Sequence, residues 1–147
     1  MKISEFLAPA DVIIDVRIAQ KQLVLQELAR KAASSLGLEA DYVSSELLKR
    51  EDLGSTGMGR GVAVPHARLP MVKGPYGIMT RMKQPIDFAA IDGEPVDLIF
   101  LLLLPATAEK DPLGALALVA RKLRTPEALV QLRRAKTVSE LYAAITG

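Results

Sequence analysis

Apolar residues recur at helical spacing from Gln20 to Leu36, where Leu23, Leu25, Leu28, Ala29, Ala32, Ala33 and Leu36 form one stripe and Gly37 ends it. A second amphipathic stretch, Ala40 to Glu51, turns Val43, Leu47 and Leu48 inward and carries Arg50 and Glu51 in its last turn. Ahead of both, the β-branched run Val12-Ile13-Ile14 predicts a short strand. Beyond them, Val62-Ala63-Val64 reads as a strand halted by Pro65, whose missing N–H cannot continue a central ladder, so His66 is expected at a strand end. Tyr76 to Met82 and Val96 to Leu104 predict two further strands separated by the turn Ile91-Asp92-Gly93-Glu94-Pro95. The second is so continuously apolar that burial on both faces at the centre of a sheet is expected. Asp111-Pro112 and Thr125-Pro126 each place an N-cap residue before a proline at the first helical position, and Thr137-Val138-Ser139-Glu140 fits a capping box for a last helix to about Ile145. The order strand, two helices, three strands, three helices predicts an α/β sandwich with helices packed on a central sheet.

At 147 residues, half of them apolar, the chain can bury one core without disulfides or a structural metal, and a single domain over 1–147 with no linker and no internal repeat is expected. The absence of cysteine excludes disulfide scaffolds and thiolate metal sites and fits a reducing compartment, so the cytoplasm is the expected location. Met1-Lys2-Ile3-Ser4-Glu5 lacks the pattern of a signal peptide, and the longest apolar run, Leu98 to Pro105, is too short to span a bilayer. A net charge of +2 comes from cations scattered among acids, with only three Tyr and three Phe for base stacking, which argues against nucleic acid as a partner.

His66 is the only histidine, and most histidine chemistry needs partners that the chain lacks. Zinc requires several His, Cys or carboxylate ligands, so no metal is expected. Gly54-Ser55-Thr56-Gly57 is not a nucleophile elbow, and Arg60-Gly61 stands where a nucleotide P-loop requires Lys and Ser or Thr. On glycine content alone the run from Gly54 to Gly61 reads as a flexible turn. A lone imidazole can itself be the nucleophile, because its neutral form carries a free lone pair, and that suits phosphoryl transfer. Such transfer depends on positioning and on donors to the phosphoryl oxygens, for which Arg50, Arg60, Ser55 and Thr56 are the nearby candidates. The alternative, that His66 is an ordinary surface residue, stays open on residue type alone.

From Glu51 to Ala67 the chain reads E-D-L-G-S-T-G-M-G-R-G-V-A-V-P-H-A: an acid or amide, six residues, an apolar residue, a small residue, two residues, then apolar-Ala-apolar-Pro-His-small. This resembles the phosphohistidine signature of type-2 enzyme IIA domains of the bacterial phosphoenolpyruvate-dependent phosphotransferase system, the mannitol/fructose class. The likeness extends through Pro85-Ile86-Asp87-Phe88, Asp92-Gly93-Glu94-Pro95-Val96-Asp97-Leu98 and Leu118-Val119-Ala120-Arg121-Lys122-Leu123, and is strongest to the stand-alone nitrogen-regulatory branch. The resemblance implies a three-layer α/β/α sandwich around a mixed sheet, His66 as the phosphorylated histidine, Arg50 as the active-site arginine and Ser55-Thr56 as the signature pair. It implies no cofactor, a phosphorylated HPr-type carrier (NPr) as donor, and protein targets such as potassium-transport components or sensor kinases. It also implies a second active-site histidine in many relatives, at a position where this chain has Pro112. Two other functions stay open: a sugar-transport IIA subunit that passes phosphate to a IIB unit, and a non-phosphorylated anion- or protein-binding module of the same fold. Met58, Val62, Leu69 and Met71 are candidate partner contacts, with core packing as the alternative for each.

Overall fold

A computed structural model describes residues 1–107 and 112–147 of the chain, with the side chain of Pro112 also outside the description. Its organising element is the strand predicted to be buried on both faces, β6 (Val96–Pro105), in which every residue from Leu98 to Leu104 is fully buried. One edge of β6 pairs antiparallel with β5 (Tyr76–Ile86), and β1 (Val12–Val16) adds parallel to β5. The other edge pairs parallel with β3 (Val62–Ala63) and, further along, with β4 (His66–Leu69). A short β2 (Gly57–Gly59) pairs antiparallel with β3 and completes a six-stranded mixed sheet of order β1-β5-β6-β3-β2.

Alternate residues of β6 feed two cores. Ile99, Leu101 and Leu103 pack under α1 (Lys21–Leu36) and α2 (Ala40–Asp52), against Leu25, Leu28, Val43 and Leu47. Leu98, Phe100, Leu102 and Leu104 pack under α3 (Pro112–Leu123), α4 (Pro126–Arg134) and α5 (Val138–Thr146), against Val119, Leu132, Leu141 and Ile145. Two helical layers therefore cover the faces of one mixed sheet, which is the expected three-layer α/β/α sandwich. Phe100 meets Phe6 edge to face at 6.3 Å between ring centroids, and a β-carbon at Gly77 would come within 2.6 Å of the Phe100 ring, so only glycine fits there.

The helix boundaries follow the caps. Gly37 takes the left-handed conformation that ends α1 (φ +70°), and Thr137 accepts the Glu140 N–H at the start of α5. Thr125 stands at the N-cap of α4, but its hydroxyl donates back to the Arg121 carbonyl instead of capping the new helix. The Asp111 cap expected for α3 lies outside the described residues.

Two strands, β2 and β4, are additions to the expected element order, and one of them changes the position of the histidine. Pro65 does not end the pairing with β6. Its carbonyl accepts the Leu102 N–H at 2.9 Å, and the parallel ladder resumes at once with His66 opposite Leu102. His66 is thus the first residue of a strand and not the residue after one.

Candidate functional site

Four pieces of chain converge on the His66 ring or on the segments that support it: the end of α2, the glycine run that follows it, the junction between β3 and β4, and the turn from Asp87 to Pro95. In β4 the side chains of Ala67 and Leu69 enter the core under α1 and α2, while the alternate positions His66 and Arg68 are half-buried and exposed. The His66 Nδ1 atom lies 2.8 Å from the Val64 carbonyl oxygen. A carbonyl can only accept, so Nδ1 carries the proton and, in the neutral ring, the lone pair sits on Nε2. Among the described residues Nε2 has no hydrogen-bond partner.

The environment favours that neutral ring. Partial burial pushes the His66 pKa below the ordinary imidazole value, the hydrogen bond to Val64 opposes the shift, the positive charge of Arg50 adds to it, and the negative charge of Glu51 opposes it. Two pH effects follow. Phosphoryl uptake by His66 should stay on a plateau as pH falls through the range in which a free imidazole protonates, and decline only below it; a stopped-flow or quench assay against pH reads this directly. For stability, the unfolded chain binds its proton at a higher pH than the folded one. Between the lowered folded pKa and the ordinary value, ΔG of unfolding therefore falls as pH falls, and replacing His66 should flatten that slope.

Arg50, on the last turn of α2, is half-buried and donates from Nη1 to the Gly54 carbonyl at 2.8 Å, which closes the start of the glycine run over the helix end. Among the described residues its other N–H groups make no hydrogen bond, and they can meet an anion at the ring. Replacing Arg50 by Ala should slow uptake about 10- to 100-fold, the effect of removing one strong donor from a phosphoryl-transfer site, and Lys should recover only part of it because the fork is lost.

Ser55 and Thr56 are placed differently from the expectation that their hydroxyls face a phosphoryl group. Ser55 Oγ donates to the Phe88 carbonyl at 2.7 Å and accepts the Gly57 N–H at 3.0 Å. Thr56 is buried, and its hydroxyl donates to Glu51 Oε1 while its N–H donates to Glu51 Oε2 at 3.1 Å. Both hydroxyls are committed to shaping the loop. The Arg60 side chain is exposed, and it is the backbone that is engaged: its N–H donates to Asp92 at 3.0 Å and its carbonyl accepts from Arg133 at 2.5 Å. Arg133 in turn clasps Asp97, and a β-carbon at Gly61 (φ +78°) would lie 2.6 Å from its guanidinium. The glycine run is therefore stitched to α4 and to the turn around Asp92, in contrast to the flexible turn that its composition suggests.

Of the expected partner contacts, Val62 and Leu69 are buried in the two cores and Met58 is half-buried against one of them; Met71 is exposed. The large apolar side chains most open to solvent near the site are Leu53, 86% exposed just past α2, and Ile91, 87% exposed on the turn that the loop is bonded to. Sequence reading names Glu51 only in the last turn of its helix and as the acid that opens the signature, without a role in the site, and passes over Lys21. The signal for Glu51 was present, because Val43, Leu47 and Glu51 are spaced by four and share the inner stripe of α2. Lys21 carried no such mark.

Comparison with known proteins agrees with this fold. Residues 5–147 match the family described as phosphoenolpyruvate-dependent sugar phosphotransferase system, EIIA 2. A nitrogen regulatory protein of Bradyrhizobium diazoefficiens is 41% identical over 145 residues, covering 99% of this chain and 95% of that protein. The crystal structure of nitrogen regulatory protein IIA-Ntr from Neisseria meningitidis superposes with a TM-score of 0.92 at 34% identity, covering 98% of this chain and 99% of that one. Mannitol IIA of Escherichia coli shares the fold, with a TM-score of 0.77 at 16% identity over 94% of this chain and 97% of that one. The chain belongs to the type-2 EIIA family of the phosphoenolpyruvate-dependent phosphotransferase system. It is a phosphocarrier-type protein similar to the nitrogen regulatory members of that family. Among the described residues no helix is long and apolar enough to cross a membrane.

Proposed function

We propose that the chain accepts a phosphoryl group on Nε2 of His66 from a phosphorylated HPr-type carrier (NPr) and controls protein partners through its phosphorylation state. The observation that carries this reading is the 2.8 Å bond between Nδ1 and the Val64 carbonyl, which leaves the nucleophilic lone pair on the other nitrogen of a ring held neutral. In the transfer, the Nε2 lone pair forms the new N–P bond while the pair of the breaking N–P bond returns to the donor's nitrogen. The acceptor ring gains positive charge, its Nδ1–H stays on Val64, and Arg50 meets the phosphoryl oxygens.

Regulation is the favoured output because the relatives of highest identity named above are nitrogen regulatory proteins. A phosphoryl group adds nearly two negative charges at the His66 surface, which repels one class of partner and recruits another; targets such as potassium-transport components or sensor kinases fit that switch. Ser55, Thr56 and Arg60 serve by holding the loop in shape. The site acts in the cytoplasm, a reducing compartment that the absence of cysteine fits.

The test is incubation with a phosphoenolpyruvate-driven donor chain, followed by intact mass and nitrogen-phosphorus NMR. One acid-labile phosphoryl group coupled to Nε2 is expected, and no gain from a demonstrably active donor would overturn the reading. Rapid onward transfer to a IIB protein and sugar would instead assign the chain to sugar transport.

A further inference from the structure

We propose that Glu51 is a positioning residue for the acceptor ring: its buried carboxylate, held by Lys21, fixes Thr56, and Thr56 fixes the Val64 backbone that orients His66. The proposal rests on His66 being the phosphoryl acceptor and assigns a role to a residue that never touches the ring.

The chain of contacts is continuous. The Glu51 side chain is only 4% exposed, and both of its oxygens are used. Oε2 takes the Lys21 ammonium at 2.8 Å and the Thr56 N–H at 3.1 Å, and Oε1 takes the Thr56 hydroxyl. Lys21 is itself held by the Phe88 carbonyl at 3.1 Å and lies 4.5 Å above the Phe88 ring. Thr56 then has one polar group left, its carbonyl, and this accepts the Val64 N–H at 3.1 Å. The Val64 carbonyl accepts from His66 Nδ1. Between Val64 and His66 stands only Pro65, whose φ is fixed by its ring and whose carbonyl is tied to Leu102. Little freedom remains at any link between the carboxylate and the imidazole.

Packing alone does not call for a carboxylate here, since a buried acid costs free energy that an apolar residue of the same size would not. What the acid supplies is two acceptors for one residue, which locks Thr56 about both its backbone and its side chain. Arg50 and Glu51 are adjacent on α2 and bear on the ring with opposite charge, one favouring its neutral form and the other its charged form. The first suits the arriving phosphoryl group and the second suits the positive charge that the ring gains on transfer.

The experiment uses the advantage that His66 is the only histidine, so ring-nitrogen NMR reads one imidazole without assignment. In the wild type the Nδ1–H tautomer is expected to dominate. In Glu51→Gln the amide cannot accept with both ends, so the two tautomers should mix, the ring should titrate at lower pH, and phosphoryl uptake should slow about tenfold. An unchanged tautomer ratio with an unchanged rate overturns the proposal. Should Glu51→Gln fail to fold, Thr56→Val cuts one link without altering the buried charge; tautomer mixing there supports the proposal and its absence overturns it. Failure of wild-type uptake with an active donor would overturn the acceptor reading instead, while the tautomer ratio still decides whether Glu51 sets the ring.

Discussion

Replacement of His66 by glutamine is expected to abolish phosphoryl uptake and leave the fold in place. The amide nitrogen of glutamine has no nucleophilic lone pair, because it is delocalised into the carbonyl, and no second imidazole exists in the chain to take over. The amide can still donate toward Val64, and the side chain it replaces is half-buried at the start of a short strand and not locked in either core. Stability should therefore change by no more than about 1 kcal/mol. Intact mass after exposure to an active donor gives the first quantity and urea unfolding the second. A variant that gains phosphate to the wild-type extent would place the acceptor on another residue and sink the proposed function. A variant that loses uptake only because it unfolds would show up in the second measurement.

Much of this site was legible before the fold was known, and the reason is that it is built from local signals. A lone histidine behind proline, two arginines and a dense glycine run need no tertiary information to be noticed, and the long periodic segments α1, α2 and β6 announce their burial through their own pattern. Strands of three and four residues such as β2 and β4 have no period to read. β4 is paired by β6, some thirty to forty residues further along, after a proline that takes part in the ladder through its carbonyl alone, and β2 is paired by β3 once β3 is itself held on β6. The hydroxyls of Ser55 and Thr56 mislead for a related reason. A serine or threonine beside glycines can face an anion or close its own loop, and which of these occurs depends on Phe88 and Glu51, residues that sequence spacing does not place nearby in the first case and masks within a helix in the second. The stitching of the glycine run to Asp92 and Arg133 is likewise a product of the folded chain.

Replacing Lys21 by methionine should destabilise the protein by about 3 kcal/mol, near the lower end of what is lost when one member of a buried ion pair is removed. Lys21 opens α1, retains some exposure, and is the only cation paired with Glu51 among the described residues. Methionine keeps the length and the contact with Phe88 but leaves a carboxylate inside the protein with Thr56 alone for company. The urea midpoint should fall by about 2 M, given a slope of about 1.5 kcal/mol per molar for a domain of this size. A midpoint unchanged within error would mean that the pair contributes no more than an exposed one. The double replacement Lys21→Met with Glu51→Leu separates two roles that the single variants mix. Removing the orphaned charge along with its partner should restore part of the lost stability, the shortfall reflecting the Thr56 N–H and hydroxyl left without an acceptor. If Glu51 orients His66, the rate of phosphoryl uptake should remain depressed in that same protein, so that stability and transfer part company at one buried acid.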